Sequence, residues 1–283
     1  MRITRRAATV AIAAALVAGV GASASAAGVG HHVSTHRTVV VQDISISVPG
    51  QAPVDAWLVR PSGPAARHSL AGVIYLHWLN PPATTQNRSE FLNEALQVAE
   101  HGAVAILPDL TFPWTGTLYG DQRDVNAVRE QERAVQAAYE TLLAAPGVDP
   151  HRTAVIGHDY GAMYGSLLAA HNPNIRAEVY VAGDATWSNW FFEFFLSLPD
   201  SALPAYNALF AGLDPVDQMG RLHSHLYLQW AGQDFFIPQA VQDQFHAADP
   251  QAKVSVYPEA DHSMDINAQN DRIPWLLGQL GLR

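Results

Sequence analysis

The chain has 283 residues, of which 48% are hydrophobic and 15% are charged, so it is long and apolar enough to bury the core of one domain. Its formal net charge of −10 argues against binding to the phosphate backbone of nucleic acid. Cysteine is absent, which excludes disulfides, thiolate metal sites and a cysteine nucleophile.

The N-terminus has the pattern of an export signal. Arg2, Arg5 and Arg6 precede an apolar run over residues 7–20, and small residues with overlapping Ala-x-Ala sites follow. We therefore predict a signal peptide over residues 1–26, a linker over 27–37 and a catalytic domain over 38–283. The protein is expected to be secreted or to lie in the periplasm or cell envelope, through the Sec or the twin-arginine route. The apolar run is too short for stable membrane insertion.

Strand patterns recur along the rest of the chain. Residues 39–48 alternate between apolar and polar side chains, and residues 54–59 follow a Pro/Gly turn, which predicts an antiparallel hairpin. Six short apolar runs come next, separated by helix-length segments: residues 72–76, 103–107, 153–156, 177–181, 226–230 and 254–257. This alternation predicts an α/β fold with a mostly parallel central sheet flanked by helices.

Two of the segments between the apolar runs are informative. In the first, five apolar residues share one face of a predicted helix: Val125, Val128, Val135, Tyr139 and Leu142. The second, residues 183–223, interrupts the alternation and is rich in aromatic residues between positions 187 and 195. We interpret it either as a short helical lid over a pocket or as a helix packed on the core.

The residues most informative about chemistry follow the apolar run at 153–156. Gly157-x-Asp159-x-Gly161 lies between a predicted strand and a predicted helix, which is the context of a nucleophile elbow. Glycines are needed on both sides because the turn is sharp. The central side chain, Asp159, is thereby presented at the end of the sheet.

A candidate acid and a candidate histidine each follow a later strand. Asp234 comes just after the run ending at residue 230, and His262 just after the run ending at residue 257. Nucleophile, acid and histidine then occur in the chain order expected for this arrangement. Asp261 and Asp184 remain alternatives for the acid.

This layout resembles the α/β-hydrolase superfamily over nearly the whole chain after the export signal. Gly232-x-Asp234-x-x-x-Pro238 and the sequence around His262 resemble the dienelactone hydrolases. Gly157-His-Asp159-Tyr-Gly161 instead resembles the elbow of epoxide hydrolases and haloalkane dehalogenases. The resemblance therefore predicts the fold and the position of the site, and its two halves imply different substrates.

An aspartate at the elbow suits attack on an sp³ carbon, because the resulting alkyl ester can be hydrolysed by a water that His262 activates while Asp234 orients the histidine. The leading prediction is a hydrolase of this kind, opening an epoxide or cleaving a carbon–halogen bond of a small organic substrate. One alternative is a carboxylic-ester or lactone hydrolase of the dienelactone type, in which Asp159 acts as a base. Another is a non-catalytic ligand-binding member of the fold.

The loop after the predicted strand at 72–76 is expected to contribute to an oxyanion hole. His77, Trp78, Leu79 and Asn80 follow this strand directly. The amide of Tyr160, immediately after Asp159, is the first expected donor, and the amide of Trp78 or Leu79 is the second.

A leaving group also needs partners. Trp78, Asn80, Trp187 and Trp190 are candidates to bind a halide through N–H groups, and Tyr206 is a candidate to protonate an epoxide oxygen. We predict no cofactor and no metal site, because the sequence contains no phosphate-binding loop and no His-Glu-x-x-His cluster. The expected partner is a small-molecule substrate, and the sequence leaves the oligomeric state open.

Overall fold

A computed structural model describes residues 37–78, 87–114 and 116–282. The predicted signal peptide and nearly all of the predicted linker lie outside this part of the chain, as do the candidate site residues Leu79 and Asn80. In the described residues, no helix is long and apolar enough to cross a membrane.

An eight-stranded sheet forms the centre of the fold. Its strands are β1 (Val39–Ile46), β2 (Val54–Pro61), β3 (Leu70–Leu76), β4 (Ala103–Pro108), β5 (Val148–His158), β6 (Ile175–Val181), β7 (His225–Ala231) and β8 (Lys253–Tyr257). They lie in the order β1-β2-β4-β3-β5-β6-β7-β8. The β1–β2 and β2–β4 pairs are antiparallel, and the other pairs are parallel. All the predicted strands are therefore present, with the predicted mostly parallel arrangement.

Eight α-helices accompany the sheet in the described residues. They are α1 (Leu92–Glu100), α2 (Gln122–Ala144), α3 (Tyr160–His171), α4 (Trp187–Phe194), α5 (Leu203–Leu209), α6 (Pro215–Gln218), α7 (Gln239–Ala248) and α8 (Ile266–Gln279). Residues of α1 and α8 form one buried apolar cluster, and residues of α2 to α7 form another. Strands β3 and β4 are buried along their whole length because both faces of the sheet are covered.

The segment over residues 183–223 connects β6 to β7 and contains α4, α5 and α6. Its first helix packs against α3, where the ring centroids of Trp187 and Tyr164 lie 4.8 Å apart. Another residue of α4, Trp190, lies 6.0 Å from the ring of His262. One face of α4 thus packs on the core, and another lies against the candidate site. The lid interpretation stays a prediction.

Candidate active site

Asp159 lies in a sharp turn between β5 and α3. Its backbone has φ 55° and ψ −122°, a conformation that few residues other than glycine adopt. A Cβ added at Gly157 would overlap the backbone of Gly161, and a Cβ added at Gly161 would overlap the carbonyl of Leu76. The two glycines are therefore required by the close approach of strand, turn and helix, and the strained turn holds Asp159 at the carboxyl edge of the sheet.

Asp234 and His262 converge on this point from the loops after β7 and β8. The Nδ1 atom of His262 lies 2.9 Å from Oδ2 of Asp234, and its Nε2 lies 3.9 Å from Oδ2 of Asp159. Asp234 is itself held by the amides of Phe236 and Ile237, at 2.8 and 3.1 Å. The site therefore has the order carboxylate, imidazole, carboxylate, with Asp234 fixing which ring nitrogen faces Asp159.

The two alternative acids have other partners. Asp261 is exposed and accepts a hydrogen bond from the amide of Ser263. Asp184 is buried after β6 and accepts a hydrogen bond from the amide of Thr186. The structure thus places Asp234, rather than either alternative, against the Nδ1 atom of His262.

All three side chains of this arrangement are almost fully buried, with 5% of Asp159, 7% of His262 and 1% of Asp234 exposed. Burial by itself would lower the pKa of His262, but hydrogen bonding and charge from Asp159 and Asp234 raise it to about 9. Burial raises the pKa of Asp159, and the proximity of His262 partly offsets this effect. The carboxyl groups of Asp159 and Asp234 therefore keep His262 protonated at neutral pH.

A second polar network, formed by Glu90 and His158, is hydrogen-bonded to the backbone of His262. The Nδ1 atom of His158 lies 2.6 Å from Oε1 of Glu90, and its Nε2 donates to the carbonyl of His262 at 2.8 Å. The other oxygen of Glu90 accepts the amide of Trp78 at 2.8 Å. Glu90 and His158 thus connect the loop after β3 to the loop that carries His262.

These contacts distinguish between the two described candidates for oxyanion-hole donors, the amides of Tyr160 and Trp78. The amide of Tyr160 lies in the first turn of α3, where N–H groups have no partner within the helix. The amide of Trp78 donates to Glu90. It is therefore not free to act as the second oxyanion-hole donor, a role that the sequence predicted for Trp78 or Leu79. The indole of Trp78 instead packs on His158 and His262, at 4.9 and 5.2 Å.

Three other residues predicted from the sequence have structural partners. The indole N–H of Trp187 donates to the carbonyl of Leu213, and the hydroxyl of Tyr206 donates to Asp124 at 2.7 Å. His77 is buried just after the end of β3, where its Nε2 accepts the amide of Leu110, which follows β4. Burial lowers the pKa of His77 to about 4, which keeps it neutral. These side chains hold elements together instead of presenting a free N–H or O–H group to a leaving group.

Several buried polar atoms near Asp159 have no hydrogen-bond partner among the described residues. They are Oδ1 of Asp159, the hydroxyl of Tyr160 and the indole nitrogens of Trp114 and Trp190. The ring of Tyr160 lies 5.4 Å from the ring of Trp114 and 5.5 Å from that of Trp190, with the ring planes nearly perpendicular in both pairs. Buried polar groups are rarely left unpaired, so these atoms are available to hydrogen-bond a ligand. The described residues contain no cluster of acidic and histidine side chains that could hold a metal ion.

Four residues of the site were not singled out from the sequence. His158 was visible within the elbow motif, but its partner Glu90 is 68 positions away and is not marked by any pattern. Trp114 and Phe236 lie in loops, and only the fold brings them near Tyr160 and His262.

Comparison with known sequences gives a consistent result. A model of the dienelactone hydrolase family matches residues 85–272. A Yersinia pestis protein provisionally named carboxymethylenebutenolidase is 26% identical over 187 residues, which are 60% of this chain and 61% of that protein. An Escherichia coli K12 protein with the same provisional name is 28% identical over 125 residues, which are 43% of this chain and 40% of that protein. The matches thus span less than two thirds of these relatives.

Solved structures share the fold at low sequence identity. A Klebsiella pneumoniae protein provisionally named dienelactone hydrolase superposes with a TM-score of 0.60 at 20% identity, over 87% of this chain and 99% of that one. An acetyl xylan esterase from Paenibacillus sp. R4 superposes with a TM-score of 0.67 at 14% identity, over 88% and 85% of the two chains. The described part of the chain therefore has the α/β-hydrolase fold.

Proposed function

Because the chain belongs to the dienelactone hydrolase family, we propose that it hydrolyses small carboxylic esters or lactones. The observation that carries this proposal is the burial of Asp159, His262 and Asp234 at the carboxyl edge of the sheet, with His262 hydrogen-bonded to Asp234 and 3.9 Å from Asp159. The family match favours ester or lactone cleavage over epoxide opening and dehalogenation, which were the leading prediction from the sequence.

The chemistry follows from the charges of the three side chains. The carboxylate of Asp159 takes a proton from water, and the water oxygen bonds to the substrate carbonyl carbon. The amide of Tyr160 stabilises the resulting oxyanion. When the tetrahedral intermediate breaks down, Nε2 of His262 donates a proton to the departing alkoxide, which leaves as an alcohol. Asp159 then returns its proton to His262, so the enzyme is restored.

The raised pKa of His262 suits this division of roles. A histidine with a pKa of about 9 is protonated at neutral pH and can act as an acid from the start of the reaction. Direct attack of Asp159 on the carbonyl would instead form an anhydride, which is a less favourable intermediate. We therefore assign Asp159 the role of base.

A second candidate function is kept because one oxygen of Asp159 has no partner among the described residues. Attack of that oxygen on the carbon of an epoxide or of a carbon–halogen bond would form an alkyl ester, neutralise Asp159 and break the bond to the ring oxygen or to the halide. His262 would give its proton to the alkoxide of the opened epoxide, or to solvent where halide leaves. The pKa of His262 would then fall, because one of its two neighbouring carboxylates has lost its charge. The neutral histidine could activate the water that hydrolyses the ester.

The two routes differ in the origin of the oxygen that enters the product. A single turnover of phenyl acetate or a simple lactone in ¹⁸O-water, with enzyme in excess, is expected to place label in the product acid and none in the peptide containing Asp159. Asp159→Asn is expected to remove the activity, and the exposed Asp261→Asn serves as the matched control.

Other outcomes of the same experiment are equally informative. Label in the Asp159 peptide after turnover of an epoxide or haloalkane, with no ester cleavage, would establish the second candidate. If substrates of all these classes bind and none is converted, the chain is a ligand-binding member of its family.

A further inference from the structure

A connected series of aromatic rings leads from the catalytic histidine to the surface. The ring of Phe236 lies 4.9 Å from His262 and is half-buried. Its neighbour Phe235 lies 5.4 Å farther along and has 80% of its surface exposed. From the other side, Phe194 of α4 lies 5.2 Å from Phe236 and 6.3 Å from Phe235. These contacts form a continuous row of aromatic rings, called the apolar path below, from the buried site to the surface.

Trp190 joins this path to the nucleophile elbow. Its ring lies 5.0 Å from Phe194 and 5.7 Å from Phe236, and 5.5 Å from Tyr160 on its other side. Phe235 is exposed, Phe194 and Phe236 are partly buried, and the three rings form one contiguous apolar surface. Contiguous apolar surface that reaches solvent is a feature of binding sites in soluble proteins. Phe235 contributes little to the core because 80% of its surface is exposed, whereas Ile237, two positions later, is buried.

The charges beside the path are two carboxyl groups, Asp159 and Asp234, and one cation, the protonated His262 that lies between them. Asp159 and Asp234 are paired with His262, and no arginine or lysine of the described chain forms an ion pair with either of them. The buried Arg272 is committed to Glu94, at 3.0 Å. His262 is shared between Asp159 and Asp234, so a substrate carboxylate placed beside Asp159 would add a further negative charge for which no second cation is available among the ion pairs of the described residues.

From these observations we propose that the rim formed by Phe194, Phe235 and Phe236 binds an uncharged, apolar acyl group of the substrate, with Phe235 as a residue that sets chain-length specificity. This inference rests on the proposed ester or lactone hydrolysis. It adds that the preferred substrates are neutral and hydrophobic on the acyl side.

The first test compares p-nitrophenyl octanoate with p-nitrophenyl acetate. Wild type is expected to prefer octanoate, because each methylene removed from water is worth about fourfold in binding. Phe235→Ala is expected to lower the octanoate-to-acetate ratio of kcat/KM roughly tenfold, which corresponds to lost contact with about two methylenes. Val41→Ala, an exposed apolar residue on β1 at the opposite edge of the sheet, should leave the ratio unchanged. An unchanged ratio in Phe235→Ala would overturn the inference.

The second test measures binding without turnover, so that it remains informative if no ester is cleaved. Tryptophan fluorescence would be titrated with N-methyloctanamide, an uncharged ester analogue, and with octanoate. The amide is expected to bind wild type at least tenfold more tightly than octanoate, and Phe235→Ala should weaken amide binding. Equal binding of the two ligands would refute the charge argument. If the protein binds the amide but cleaves no ester, the proposed function is refuted, while the proposal that the rim binds an uncharged apolar group is supported.

Discussion

Replacing Asp159 with asparagine preserves the size of the side chain but removes one of the two carboxylates that flank His262. The charge removed lies 3.9 Å from Nε2 in a site that is almost fully buried. With an effective dielectric constant of about 20, a unit charge at this distance contributes about 4 kcal/mol, or about three pKa units. Asp159→Asn is therefore expected to lower the pKa of His262 from about 9 into the range of an ordinary histidine.

This shift can be measured by NMR in protein labelled with ¹³C at the histidine Cε1 position. The signal of His262 would be assigned with His262→Gln and followed from pH 5 to pH 10. Asp261→Asn provides the control, because Asp261 is adjacent in sequence but exposed and bonded to Ser263. If Asp159→Asn and Asp261→Asn shift the pKa of His262 equally little, Asp159 does not act on His262 as a neighbouring charge.

The same pKa also predicts how stability depends on pH. A histidine whose pKa rises from 6.5 in the unfolded chain to about 9 in the folded chain stabilises the fold fully below pH 6.5. This contribution, of about 3 kcal/mol, is lost as the pH rises from 6.5 to 9. Urea unfolding should show that loss in wild type and a much smaller one in Asp159→Asn.

Three further substitutions test the framework around the site. Tyr206→Phe removes the hydrogen bond to a buried carboxylate of α2 and should cost about 2 kcal/mol in thermal unfolding. Arg272→Met leaves Glu94 buried and unpaired, so urea unfolding should show a loss of about 4 kcal/mol, most of which Glu94→Gln in the same chain should restore. Gly161→Ala should cost about 3 kcal/mol because its Cβ meets backbone, whereas Gly278→Ala, with open space around it, should not destabilise the fold. Equal effects of the two alanines would contradict the steric account of the elbow.

Much of the fold could be predicted because the signals are local. Strands β3 to β8 contain short apolar runs, and a run covered on both faces stays apolar along its length, as in β3. The positions of Asp159, Asp234 and His262 were predictable for a related reason. Each follows a strand, and the carboxyl ends of parallel strands lie along one edge of the sheet.

The contacts that could not be predicted depend on how distant segments dock. Trp187 and Trp190 belong to the same helix, yet one donates its N–H to the core and the other lies against His262. The rotation of α4 decides between these positions, and it is set by packing against α3. The bond between Tyr206 and Asp124 likewise joins residues 82 positions apart. Sequence identifies such residues as aromatic or acidic, but only the fold pairs them.

The shape of the elbow has a consequence for how readily chemistry can change on this scaffold. The close contacts that force the turn involve Gly157, Gly161 and Leu76, and none of them involves the side chain of Asp159. The backbone of the turn therefore does not depend on which side chain stands at position 159. A serine at position 159 would occupy the same strained backbone, opposite the same His262 and Asp234. A change from carboxylate to hydroxyl chemistry would therefore require one substitution, at position 159, and no change in the backbone of the turn.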